Sequence, residues 1–244
     1  MTATITPPPG VPALARTKPE DRLEDYLTAL TFYLGLPDSA VNRVVLAENS
    51  DSDLSALERV AERHAGAKEV ELISFDGLDY PVKHGRAVGE MKLIDTALSR
   101  SRLLADLGDD GVFWKVTGRL RFTNLPRLIA GGPARASLYA DFRRYPRRWM
   151  DLRVFACTPA GFRELLLPRV DLLRQDELDR AGYSAPEERL FGELLSRPGV
   201  VPRLRAEPVI EGFSGHGADY GRPSRRLWTL ARAGVRRVLP GLWL

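Results

Sequence analysis

Cysteine is nearly absent from this chain: Cys157 stands alone among 244 residues. A single thiol excludes an internal disulfide framework and a cysteine-built zinc cluster, and it fits a reducing compartment. Histidine is almost as scarce, with only His64, His84 and His216, and none of them forms an HxxH or HExxH pair. Zinc-hydrolase motifs are therefore missing. No run of about 18 apolar residues occurs, so no membrane-crossing helix is expected. The first residues lack a basic segment followed by an apolar run, so no secretory signal is expected either. GxxxxGK[ST] and GxGxxG are also missing, which argues against phosphate-loop kinases and Rossmann oxidoreductases.

What is present is ordinary globular composition, 44% hydrophobic and 28% charged, long enough for one large domain or two small ones. The net charge of +4 is modest but unevenly spread. Arginines concentrate over residues 135–153 and again over 222–237, a distribution suited to anionic partners. There are no internal repeats and no low-complexity block.

Read in order, the chain alternates short apolar runs with helical periodicity. Residues 2–6, TATIT, predict a first strand that runs into Pro7-Pro8-Pro9-Gly10. Leu23, Tyr26, Leu27, Leu30 and Tyr33 or Leu34 make an apolar stripe over 19–36, stopped by Gly35 and Pro37. A buried strand follows over 41–47 and ends in Glu48-Asn49-Ser50-Asp51; a helix opens at Asp53-Leu54, and a third strand spans 70–75. Lys83-His84-Gly85-Arg86-Ala87-Val88-Gly89-Glu90 reads as a loop before a helix carrying Met91, Leu93, Ile94, Ala97 and Leu98. Val112 to Val116 form a fourth strand that ends in Thr117-Gly118-Arg119. This order predicts an α/β fold, a mainly parallel sheet flanked by helices, with its ligand at the carboxyl ends of the strands. Beyond Asn124 the pattern loosens: a helical turn at 126–129, loop or edge structure at 135–148, a strand at 153–157, and helices over 159–167 and 183–195. Gly212-Phe213-Ser214-Gly215-His216-Gly217 forms a glycine-rich loop, and a basic amphipathic helix occupies 222–244. The expected division is a domain over 1–221 and this helix.

Residues 85–124 resemble the middle of GT-A nucleotide-sugar transferases, where a glycine-bearing loop opens a helix leading to an apolar strand that ends in a metal-binding Asp-x-Asp. More narrowly, the Glu48-Asn49-Ser50 strand end, the glycine–Glu90 helix start and the run Lys115-x-Thr-Gly-Arg-x-x-x-x-Asn resemble bacterial glycosyltransferases of capsule and O-antigen gene clusters. The resemblance covers 2–125, returns at 212–220 and is thin over 130–205. It implies a GT-A fold and transfer of a sugar from a nucleotide-sugar donor to a saccharide or lipid-linked acceptor. The alternatives are a non-catalytic nucleotide- or sugar-binding module and a sugar nucleotidyltransferase, though residues 6–16 lack the latter's glycine-rich signature.

Thr117-Gly118-Arg119 stands where the resemblance would place the acidic pair. A guanidinium holds a phosphate bidentately without a metal, so no divalent cofactor is expected. Arg119 is assigned to the leaving diphosphate, with Lys115 nearby and Lys83 and Arg86 assisting; a surface turn, or a brace to Glu90, is the alternative. Asp51-Ser52-Asp53 is a literal Asp-x-Asp, but it sits where a helix cap belongs. The donor set further takes in Thr6, Pro7, Glu48, Asn49, Ser50, Gly85, Gly89, Glu90, Thr117, Gly118, Ser214, Gly215 and His216. Glu90, read as starting its helix, faces sugar hydroxyls or the helix dipole. An inverting transfer needs a carboxylate base. Ser184 and Glu187 have capping-box spacing, which leaves Glu188 as the base, with Asp151 as competitor.

Six arginines in the tail (222, 225, 226, 232, 236 and 237) interleave with Leu227, Trp228, Leu230, Val235, Val238, Leu239, Leu242 and Trp243, with no acid among them. That pattern fits an anionic membrane face, and equally a helix packed on its own domain or in a homodimer. Nucleic acid is not expected, since no recognised motif accompanies the arginines. The expected location is cytoplasmic, peripheral on the inner face of the plasma membrane.

Overall fold

The computed structural model describes residues 1–64, 66, 68–178, 182, 185–239 and 242, with the side chain of Arg226 left out. The first half builds a βαβ series. Strand β1 (Thr2–Ala3) is followed by helix α1 (Pro19–Leu34), strand β2 (Arg43–Glu48), helix α2 (Ser55–Glu62) and strand β3 (Glu69–Ser74). The three strands pair in parallel in the order β1-β2-β3. Pro19 starts α1, where its missing N–H is not needed, and Gly35 ends it by donating its N–H to Thr31 O. Val44 and Leu46 of β2 pack on Leu30, Leu34, Leu57 and Val60 of the two helices. Ala47 points to the opposite face, against Phe75 and the next helix.

That helix, α3 (Arg86–Arg100), and the short α4 (Arg102–Ala105) lead back across β1 to strand β4 (Phe113–Val116). A parallel bridge from Thr2 to Thr117, with Gly118 N–H donating to Thr2 O at 3.0 Å, sets β4 beside β1. Strand β5 (Arg121–Phe122) and helix α5 (Leu125–Ala130) follow, then strands β6 (Leu138–Arg143) and β7 (Trp149–Cys157). After them come α6 (Pro159–Gly161), running on as a π turn and a 3-10 turn to Leu173, helix α7 (Pro186–Leu194), strands β8 (Val200–Val201) and β9 (Ile210–Glu211), and helix α8 (Pro223–Val238). A four-stranded sheet has the order β4-β7-β6-β8, and β5 pairs with β9 apart from it. Across the Thr2–Thr117 bridge the strands read β3-β2-β1-β4-β7-β6-β8, and only β7 opposes the rest.

Apolar side chains bury on both faces. On β7, Phe155 and Cys157 face the cluster of Met91, Leu138, Phe162 and Leu190, while Val154 and Ala156 face Tyr33, Phe122 and Leu128. The α/β expectation holds. Its mainly parallel sheet is met in part: β1, β2 and β3 form a continuous parallel ladder, and β7 makes the second sheet mixed. Residues 138–143, read as loop or edge, form a wholly buried strand. Asp141 and Arg143 hid it, because polar residues at buried positions are legible only when paired. Tyr183 and Ser184, at the expected start of α7, lie outside the described residues, as does Trp243.

Candidate functional site

Strand order reverses at β1. From there the chain winds outward to β2 and β3, then returns on the other side at β4. The carboxyl ends of adjacent strands diverge at such a switch point and leave a crevice. A cavity of about 490 Å³ lies there. Its walls come from the ends of β1 and β4, the first turn of α3, the start of α7 and two facing loops. Those loops, around residues 7–15 and 212–217, are tied by Ala15 N–H donating to Gly215 O at 2.8 Å.

Three guanidiniums converge on this space. Arg22, from the first turns of α1, is buried and donates to Thr4 O at 2.6 Å, Arg16 O at 3.1 Å and the Tyr26 hydroxyl at 3.1 Å. Arg119, just past β4, donates to Phe213 O at 3.1 Å. Arg86 opens α3 and donates to His216 Nε2 at 2.9 Å. None of the three has a carboxylate within 4.0 Å among the described residues. Burial lowers the Arg86 and Arg22 pKa values, and the neighbouring Arg119 pushes both the same way. His216 is held below its ordinary value by burial and then by Arg86. Its Nε2 therefore accepts from the guanidinium as a neutral ring.

The floor is a neutralised pair. Lys115 Nζ meets Glu90 Oε1 at 2.6 Å and donates to Leu152 O at 2.5 Å and Thr117 Oγ1 at 3.1 Å. Glu90 also accepts from Thr2 Oγ1 at 2.7 Å and Thr117 Oγ1 at 3.4 Å. The expected start of α3 is corrected here, since the helix begins at Arg86 and Glu90 lies one turn in, braced by Lys115 rather than by Arg119. Gly85 sits at φ 82°, a left-handed turn natural to glycine, and lets α3 begin there. At Gly89 a Cβ would overlap the Tyr80 hydroxyl, which lines the cavity.

Two carboxylates stand on the α7 side. Asp151 is fully buried and gives both oxygens to Arg153, at 2.8 Å from Nε and 2.6 Å from the terminal nitrogen. Burial alone would raise the Asp151 pKa, but Arg153 outweighs it and the net shift is downward. Arg153 reaches the cavity and donates to the Tyr220 hydroxyl at 2.8 Å. Glu187 lines the cavity, and its carboxyl is raised above its ordinary 4.5 by burial first, then by Asp151, against the pull of Arg153 and Arg86. A half-buried carboxyl with a raised pKa beside guanidiniums can take a proton from a hydroxyl.

The structure sorts the sequence candidates. Pro7, Gly85, Arg86, Gly89, Glu90, Thr117, Arg119, Ser214, Gly215 and His216 line the cavity, while Lys115 and Gly118 lie just beneath it. Glu48, Asn49 and Ser50 do not. The Glu48 carboxylate is fully buried and accepts from Ile5 N–H at 2.8 Å, Ser50 N–H at 3.0 Å and the Ser50 hydroxyl. Asn49 accepts from Thr4 Oγ1 at 2.6 Å, and Thr6 N–H donates to Ser50 Oγ at 2.9 Å. These residues lash the ends of β1 and β2 together. Lys83 turns away to Asp176 at 3.4 Å, and Asp53 accepts from Ser55 N–H at 2.9 Å at the start of α2. Glu188, chosen as base, is off the cavity wall, and Asp151 is fully buried behind it; Glu187 is the α7 carboxylate that lines the cavity. Arg22, Tyr80, Trp149, Arg153 and Tyr220 were missed. For Arg22 a signal existed, since it stands four residues before Tyr26 and eight before Leu30, on the buried stripe of α1.

Against this geometry, no family model, no curated protein and no solved structure matches the chain.

Proposed function

We propose that the protein is a nucleotide-sugar-dependent glycosyltransferase with a GT-A-like arrangement of its sheets, and that Arg22, Arg86 and Arg119 hold the donor diphosphate. The carrying observation is that convergence: three guanidiniums with no carboxylate partner among the described residues, at the switch point of an α/β sheet. Clustered cations repel one another, and a diphosphate relieves that repulsion while accepting bidentate hydrogen bonds. Arginine in this role does the charge neutralisation that a divalent ion does elsewhere. In an inverting transfer the acceptor oxygen bonds to the anomeric carbon, the carbon–phosphate-oxygen bond breaks with its electrons going to the diphosphate, and Glu187 takes the hydroxyl proton. The strand order, with one opposed strand and a cleft spanning the β1 and β4 ends, supports the GT-A-like reading. Bacterial surface polysaccharide as the product, with a saccharide or lipid-linked acceptor, rests on the resemblance of residues 2–125 and 212–220.

A thermal-shift panel of UDP, GDP and CMP with their sugar conjugates, each with EDTA and with manganese, tests the reading. One nucleotide family that raises the melting temperature irrespective of EDTA, followed by donor turnover, is the expected result. Stabilisation that needs manganese overturns the arginine-only account. Binding without turnover or donor hydrolysis leaves a nucleotide-binding module.

A further inference from the structure

Helix α8 is packed inside out. Two of its arginines face the protein: Arg236 is 7% exposed and donates to Asp141 at 2.8 and 2.9 Å, to Glu207 at 2.5 Å and to Leu204 O at 2.6 Å. Arg232, one turn earlier, meets Glu207 at 3.0 Å. At 100° per residue, Leu227, Leu230, Gly234 and Val238 fall on one stripe, across the helix from Arg236. That stripe points to solvent, with Leu227 69%, Leu230 67% and Val238 75% exposed, and Trp228 on its shoulder is 56% exposed. An ordinary surface helix buries its apolar stripe and leaves its arginines wet; burying arginine instead is worthwhile only where acids await it.

Exposed cations lie on and near the helix. Arg237 flanks the stripe, about 20° from Leu230 at 100° per residue. Arg222, just before α8, and Arg225 are exposed as well, and the exposed turn Arg144-Tyr145-Pro146-Arg147-Arg148 leaves β6 directly after Arg143, which shares Glu207 with Arg232. No acidic residue occurs in 222–244 or 142–150. Exposed leucines and a tryptophan on a helix that carries exposed arginines and no acid match a bilayer that offers acyl chains beneath anionic headgroups. A second copy of this chain would set the same cations against each other across a two-fold axis. We infer that α8 docks the protein, apolar stripe down, on a bilayer surface rich in anionic lipid. Tyr220, in the cavity wall, sits three residues before the helix begins, so docking holds the cavity close to the membrane surface. An acceptor on a lipid carrier would then meet the donor without leaving the membrane. The docking itself stands independently of sugar transfer.

Co-sedimentation of the full chain with vesicles tests this without any nucleotide. Vesicles of phosphatidylglycerol mixed with phosphatidylcholine should carry the protein down, those of phosphatidylcholine alone much less, and raised salt should weaken the binding. Leu227→Glu with Leu230→Glu changes only exposed positions, so melting should hold while partitioning falls roughly tenfold or more. Three results overturn the inference: no binding by the wild type, equal binding by the double variant, or equal binding to neutral vesicles. Sizing in solution decides the competing occupant, since a dimer dissolved by the same pair of substitutions makes the stripe a protein interface and sinks the lipid assignment.

Discussion

Two sets of buried and half-buried arginines lie in this molecule, and they differ in what faces them. Beneath α8, Arg143, Arg232 and Arg236 share Asp141 and Glu207, with nitrogen–oxygen distances of 2.5 to 3.0 Å. Around the cavity, Arg22, Arg86 and Arg119 meet carbonyls, a tyrosine hydroxyl and a neutral imidazole. The first set is paired with acids and holds a helix in place. The second leaves positive charge unbalanced in a space large enough for a small molecule. Burial of arginine therefore says little alone, and the partner distinguishes a structural cation from one kept for a ligand. Trp149, in the cavity wall, has Arg143 of the first set at 5.6 Å and Arg153 at 5.3 Å from its ring centre.

The sharpest way to break this contrast is to truncate one member of each set. Arg236→Ala strands Asp141 and Glu207 with less positive charge, and losing one partner of a buried pair costs about 3–5 kcal/mol. A large drop in denaturant midpoint is expected, and unchanged stability would mean the network is solvated. Arg119→Ala should do the reverse, leaving melting unchanged or slightly higher because Arg22 and Arg86 lose a repelling neighbour. Turnover should fall about 10²–10³-fold, the usual effect of removing one donor to developing negative charge. Near-normal turnover would remove Arg119 from the diphosphate.

Glu187→Gln tests the cavity carboxylate that Lys115 does not neutralise. Turnover should drop about a hundredfold or more with nucleotide binding retained. The wild-type acidic limb should lie above the ordinary carboxylate value of 4.5, since the base must be ionised and its pKa is raised. Stability carries the same sign. A folded-state pKa above the unfolded one favours folding at low pH, and that benefit is lost as pH rises through the folded value. The glutamine variant should therefore match wild type in acid and out-melt it near neutrality; a coincident pair of melting curves across pH would deny the shift. The smallest effect is expected from Gly215→Ala. Its Cβ would overlap the Arg86 guanidinium, a flexible tip that can move aside, so affinity should weaken severalfold with melting unchanged.

The first half of the fold was legible because its signals are local. Apolar runs gave β2, β3 and β4 within about two residues, and the stripe of α1 with Pro19 and Gly35 gave that helix. Strand β6 was not legible, because its Asp141 and Arg143 are explained only by Glu207 and Arg236, far away in sequence. The site divides in the same way. Arg86, Glu90, Thr117, Arg119 and His216 lie at a strand end, at a helix start or in a glycine-rich loop, where a chain displays chemistry. Glu48 to Ser50 also lie at a strand end, yet their hydrogen bonds turn back to the residues that follow β1. Glu187 and Glu188 are adjacent on one helix, and only the packing of α7 against β7 decides which faces inward.

The seam between the two sheets has a mechanical consequence. The ladder there is a single bridge, Thr2 to Thr117, reinforced by Tyr33, whose hydroxyl donates to Leu120 O at 2.7 Å and accepts from Phe122 N–H at 3.1 Å. Arg22 stands on one side of that seam and Arg86 and Arg119 on the other. Any anion gripped by all three is thus a clasp across that seam. Affinity for such a ligand and cohesion of the two halves become one quantity, and the resting protein trades some toughness for a site that closes on what it holds.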